Sequence, residues 1–167
     1  MLIYDVPEVD RPYRNTLRRF LKQKHLGCLQ QSVWVTPTDI RPDFDDLAKA
    51  ANIDAFAYLF ESKTVLGLPG HRIVEGAWDF NHLQDLQERF HTVTAQNIKL
   101  LQTVDCSPQD LAELLRTSLA AYHGAMVNDP LLPAALLPSA YAGKKAYEAH
   151  RSLLSEIDQR IGVLQLD

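Results

Sequence analysis

The chain has 167 residues, 46% hydrophobic and 23% charged, with a net charge of −4. That length gives one large domain or two small ones, able to fold without disulfide or metal staples, and the acidic total argues against a whole-surface nucleic-acid clamp. No apolar run approaches the ~20 residues that cross a membrane, and the acids and four arginines within residues 1–20 exclude a secretory signal.

Leu2–Val6 is short and nearly all apolar, which reads as a buried strand stopped by Pro7. Asp10 is placed to cap a helix from Arg11 to about Lys24, with Pro12 in its first turn. Tyr13, Leu17, Phe20 and Leu21 form its apolar face, and Gly27 is expected to end the helical region. Extended segments follow at Cys28–Gln30 and Ser32–Thr36. After the Pro37–Asp39 turn, Phe44, Leu47, Ala48 and Ala51 give a second helix its apolar face. Asn52–Asp54 breaks that helix, and Ala55–Phe60 is the fourth strand. The order β-α-β-β-α-β predicts an α+β fold: a ferredoxin-like antiparallel sheet with two helices on one face, followed by an all-α region.

Leu66–Gly70 clusters glycine and proline and reads as a linker. His71–Ala77 predicts a short helix closed by Trp78, and Asp79 can cap a long one. The apolar spacing of the long helix runs through Leu83, Leu86, Phe90, Val93, Asn97 and Leu100 or Leu101. Ser107, Pro108 and Asp110 make a strong start for the next, which continues through Leu111, Leu114, Leu115, Leu119, Tyr122 and Met126. Asn128–Tyr141, with three prolines, is too apolar for a solvated loop and is expected as an extended strap over the helices. Gly143 precedes a last helix with Tyr147, His150, Leu153, Leu154, Ile157 and Ile161 on one side. Domains are therefore expected at 1–65 and 79–167, joined by a linker and short helix over 66–78.

Charge is unevenly placed. Residues 11–24 hold six of the 17 basic residues and no acid, leaving 11 against 21 acids elsewhere. Arg11, Arg14, Arg18 and Lys22 fall at helical spacing opposite the apolar face. With Arg19 they are the candidate contact for a nucleic-acid backbone or another anion; the plainer reading is a solvated face whose Arg stems cover the sheet. Asp5 ends the first strand. One carboxylate plus waters is an ordinary Mg²⁺ arrangement, but no second acid or His stands at fixed spacing, so a turn-forming Asp before Pro7, or a partner for a nearby Arg, is the plainer reading. Six scattered histidines give no HExxH, and GxSxG, GxGxxG and Walker loops are absent. Cys28 and Cys106 stand in no metal-like spacing, so a reduced, cytoplasmic setting is expected. Trp34 and Trp78 read as core or interface anchors rather than ligand stackers. No cofactor is implied.

Two stretches together resemble one family. Tyr4–Glu8 (YDVPE), the Arg-rich helix over Arg11–Arg19, Gly27 and Gln30–Val35 (QQSVWV) look like the central domain of the PaaX family, the phenylacetic-acid catabolism repressors. Asp129–Gly143 (DPLLPAALLPSAYAG) resembles that family's C-terminal signature, with Tyr141 where the family more often has Trp. The resemblance runs over about residues 2–161, with Trp78-Asp79 between the two stretches. It implies a non-enzymatic regulator, a homodimer, and an aryl-acyl-CoA effector such as phenylacetyl-CoA, whose binding residues no motif indicates. PaaX-like repressors read operators through an N-terminal winged helix. This chain begins in the first strand of the central domain, so it is expected either to lack a reader or to be a fragment, and to meet DNA only indirectly. Over residues 2–62 the chain is also similar to the CRISPR spacer-acquisition nucleases, whose strand-terminal Asp matches Asp5. That likeness implies the alternative: a metal-dependent nuclease using Asp5 across a dimer.

Overall fold

The computed structural model describes residues 1–51, 56–62, 67 and 69–164. The chain divides into two compact units, Met1–Asp79 with Pro130–Pro138, and Phe80–Asp129 with Ser139–Asp167.

The first unit is built on a four-stranded antiparallel sheet in the order β2-β3-β1-β4, from β1 (Leu2–Tyr4), β2 (Gly27–Gln30), β3 (Val33–Val35) and β4 (Ala57–Leu59). With α1 (Arg11–Gln23) and α2 (Arg41–Ala51) this is the ferredoxin-like order expected from the sequence. The alternation of strand side chains decides what is buried. Leu2 and Tyr4, each 1% exposed, point to one face with Trp34 and Ala57, where Leu17 and Leu21 of α1 and Ile40 meet them. Phe44 packs against the same cluster, as does Phe56, whose ring lies 6.0 Å from Tyr13. Register pairs Leu2 with Trp34 and with Leu59, and an irregularity between Cys28 and Gln30 shifts β2 against β3. On β4 the small and aliphatic positions face the core, whereas Tyr58 and Phe60 are exposed. The expected helix break at Asn52–Asp54, the strand start at Ala55, and Leu66 and Leu68 of the linker lie outside the described residues, as do the side chains of Leu47, Ala48 and Ala51.

Two local expectations are corrected. Asp10 sits at the N-cap position of α1, but its side chain makes no capping hydrogen bond; a 3-10 turn over Glu8–Asp10 leads into the helix instead. Gly27 does not end α1. The helix closes at His25, which takes the left-handed φ of 61°. His25 N–H then donates to Lys22 O and Leu26 N–H to Leu21 O, the paired bonds of a Schellman ending with a Leu21–Leu26 apolar contact. Gly27 lies instead in β2, buried under α3 (Gly70–Ala77), where a Cβ would come within 2.6 Å of the Trp78 ring and 2.8 Å of Ala77. Pro130–Pro138 of the strap contains a 3-10 turn at Ala134–Leu136 that packs on α3, with Leu132 buried.

The second unit is a three-helix bundle of α4 (Phe80–Thr103), α5 (Pro108–Met126) and α6 (Gly143–Leu164). Ser107 and Asp110 form the expected capping box: each side chain accepts the other residue's backbone N–H. The buried stripes keep Leu83, Phe90, Leu101, Leu111, His150, Leu153 and Ile157 of the expected faces and depart from them at the positions between. On α4 they run through Leu83, Gln87, Phe90, Thr94 and Leu101, while Val93 and Leu100 are exposed. On α5 Ser118 and Ala125 are buried and Leu119 is exposed; on α6 Ala146, His150, Leu153 and Ile157 are buried and Tyr147 is exposed. Close helix approach favours small residues at the contact, and each buried polar group needs local partners.

Candidate anion site on the first helix

The expected basic residues occupy two different settings on α1. Arg14 reaches back to Glu8 at 2.7 Å. That hydrogen bond, then the Arg14 charge, and further off Arg11, hold the Glu8 carboxyl below the usual carboxylate range. Arg14 is thus neutralised within the chain, and Arg11 lies exposed beside the same acid.

Arg18, Arg19 and Lys22 come together with Cys28, Gln31 and Trp34 of the β2–β3 hairpin around an open cleft of about 590 Å³. No carboxylate pairs with these three cations among the described residues. Elsewhere Lys24, Arg41, Arg72, Arg116, Lys144 and Arg160 each have an acidic partner, whereas Arg89, Lys99, Lys145 and Arg151, spread over α4 and α6, have none among the described residues and do not line this cleft. Arg41 holds Asp39 to a pKa of about 2 through a side-chain and a backbone hydrogen bond.

Arg18 is fixed in place. Its Nε donates to the Tyr4 hydroxyl at 2.9 Å and its Nη2 to the Gln31 carbonyl at 3.1 Å. The Tyr4 hydroxyl in turn donates to the same carbonyl at 3.1 Å. Tyr4 is 1% exposed, so strand β1 carries a buried ring whose one polar atom aims the guanidinium. An arginine held by two neutral acceptors keeps its full charge and part of its donor fork for a ligand. Trp34, also 1% exposed, borders the cleft, and its Nε1 has no partner among the described residues.

Sequence reasoning missed Tyr4, Cys28, Gln31 and Trp34 as parts of this site. One signal was available for Tyr4: an inward-facing tyrosine in an apolar strand needs a partner for its hydroxyl. Asp5 is exposed at the end of β1, where its backbone N–H donates to Phe56 O at 2.8 Å. Among the described residues no group of three or more His, Cys, Asp or Glu side chains is placed to hold a metal ion.

The second unit holds its own buried polar cluster. Gln87, fully buried on α4, donates through Nε2 to Asp129 at 3.2 Å and to Tyr141 Oη at 3.1 Å, and Tyr141 donates to the same Asp129 carboxylate. Burial, and then that bond to Asp129, push the Tyr141 phenol well above its ordinary value. These contacts tie the two ends of the Asp129–Tyr141 segment together. No described helix is long and apolar enough to cross a membrane.

Comparison with known proteins adds two family matches. The model of the PaaX protein central Cas2-like domain matches residues 1–74. The model of the PaaX-like protein C-terminal domain matches residues 78–161. Among solved structures, the chain is similar to the uncharacterized protein Rv0674 from Mycobacterium tuberculosis. The TM-score is 0.64 at 18% sequence identity, over 98% of this chain and 62% of that one. At that identity the likeness is one of fold, and the chain spans about three-fifths of the other protein's length. No curated protein matches.

Proposed function

The chain belongs to the PaaX family of transcriptional regulators, and on that premise we propose that it is the dimerising, effector-sensing part of a PaaX-type repressor rather than an enzyme. The observation that carries this reading is the occurrence of both family domains, in order, across nearly the whole chain. The basic α1 on an otherwise acidic body supports it, since it gives a regulator one local anion contact. The effector is an aryl-acyl-CoA thioester of the phenylacetyl-CoA kind. Its binding favours one arrangement of a homodimer over another and so changes the spacing of attached DNA readers. Operator reading is assigned to a winged-helix module outside these residues, on this chain or another, in the cytoplasm.

Titration with phenylacetyl-CoA and related thioesters, followed by calorimetry, is the direct test, with light scattering to read the oligomeric state. Saturable heat with a dimer is the expected result. No heat from any thioester removes effector sensing, and a monomer at tens of micromolar removes dimerisation. Incubation with RNA or DNA and Mg²⁺ tests the nuclease alternative, in which cleavage lost in Asp5→Ala would overturn the regulatory reading.

A further inference from the structure

We propose that the cleft between α1 and the β2–β3 hairpin is a binding site for a small phosphorylated anion carrying at least two negative charges, and not a contact for duplex DNA. A CoA thioester of the kind proposed above also carries phosphate groups, so the inference adds residues to that reading; inorganic pyrophosphate and a nucleotide test the site without a thioester.

Three observations carry it. First, Arg18, Arg19 and Lys22 line one concave site and lack acidic partners among the described residues, in a chain whose acids outnumber its bases by 21 to 17. Cations left unpaired beside such an excess of acid leave a local positive field for a ligand to satisfy. Three of them around one cleft suit a compact dianion or trianion better than a monocarboxylate, and the Arg fork matches phosphate oxygens. Second, Arg18 is preorganised by the buried Tyr4 hydroxyl and the Gln31 carbonyl, so little side-chain freedom remains to be lost on binding. Third, the cleft volume of about 590 Å³ lies within the range of small-molecule pockets, roughly 300–1,000 Å³.

Duplex DNA is disfavoured by the same distribution of charge. Arg14 is already neutralised by Glu8, which interrupts the stripe along α1. Outside residues 11–24 the chain carries 21 acids against 11 bases. A long polyanion meets that whole field, whereas a compact anion feels mainly the cations within about a Debye length of ~10 Å.

The test is calorimetry on the full chain at low salt with three probes: inorganic pyrophosphate, ADP and a 20-base-pair duplex. Pyrophosphate and ADP are expected to bind. Tighter binding of ADP identifies an organic phosphate as the source, and equal binding identifies the diphosphate group alone; either result supports the site. Arg18→Gln and Arg19→Gln are each expected to weaken pyrophosphate roughly tenfold, while Arg11→Gln leaves it within about twofold because that charge lies outside the cleft. Tyr4→Phe keeps every charge yet is expected to weaken binding several-fold through loss of Arg18 positioning. Should Tyr4→Phe fail to fold, Lys22→Gln, at an exposed position, takes its place. Absence of both pyrophosphate and ADP binding overturns the inference and leaves the separate thioester titration untouched. Equal losses from Arg11→Gln and Arg18→Gln, or a duplex that binds more tightly than either small anion, also overturn it.

Discussion

Tyr4, Gly27 and Tyr141 show how single side chains set what surrounds them. Tyr4 occupies an inward position of a three-residue strand and turns one hydroxyl into the anchor of Arg18. Gly27 admits the Trp78 ring at a distance no Cβ tolerates. Gly27→Ala is therefore expected to destabilise the first unit by about 2–3 kcal/mol through overpacking, read as a lower unfolding midpoint in urea. Tyr141 donates to Asp129, a carboxylate only 5% exposed that also accepts from Gln87. Tyr141→Phe leaves that buried carboxylate with one donor fewer and is expected to cost about 2 kcal/mol. Combining it with Asp129→Asn should cost less than the two single changes together. A sum of independent losses would show that the pair is not coupled.

At the scale of elements, helix ends were legible in the sequence wherever their chemistry is local. Ser107, Pro108 and Asp110 spell a capping box, and the structure contains it. Ser107→Ala is expected to cost about 1 kcal/mol, measurable as a fall in Tm. Asp10 looked equally suitable, yet the 3-10 turn before it sets the chain's entry and its side chain makes no cap. Buried helix faces were less legible, because polar residues enter them for reasons that apolar spacing does not carry: Asp129 and Tyr141 accept from Gln87, and Ser118 is small enough for a helix contact. Gln87 and Thr94 displace Leu86 and Val93 from the α4 stripe. His150 lies inside the bundle with its ring stacked on Tyr122 at 3.9 Å and near Phe90 at 6.1 Å. Burial pulls its pKa below the ordinary 6.5. The folded imidazole stays neutral while the unfolded chain takes up a proton, so stability falls as pH drops from about 7.5 towards 5.5. Glu8, Asp39, Asp110 and Glu113 are held below their ordinary values of 4.5 or 3.8, so their contributions are lost only at more acidic pH. His150→Phe retains a ring against Tyr122 and should flatten the dependence of Tm on pH in that window; an unchanged slope would place the titrating group elsewhere.

At the scale of the whole molecule, each unit has its own buried apolar clusters, around Trp34 in the first and around Leu153 and Phe90 in the second. Calorimetric unfolding is expected to give an enthalpy larger than the van't Hoff value, as for domains that melt separately. Gly27→Ala should then shift only one component; a single transition moving as a whole would show one cooperative unit. The sequence by itself determined the ferredoxin-like order, the helical region after it and the concentration of base on α1. Alternation of apolar residues, proline and glycine punctuation, and charge counts are local properties, and the strand order follows from them through packing rules. It also carried the family, because two motifs stand in order at Tyr4–Val35 and Asp129–Gly143. Only the tertiary structure decided which cations face a cleft. Arg14 and Arg18 sit one turn apart on the same helix, yet Glu8 claims the first and Tyr4 with the Gln31 carbonyl aims the second. Those partners lie 6, 14 and 13 residues away, and pairing over such separations is set by how strands and helix pack rather than by helical spacing.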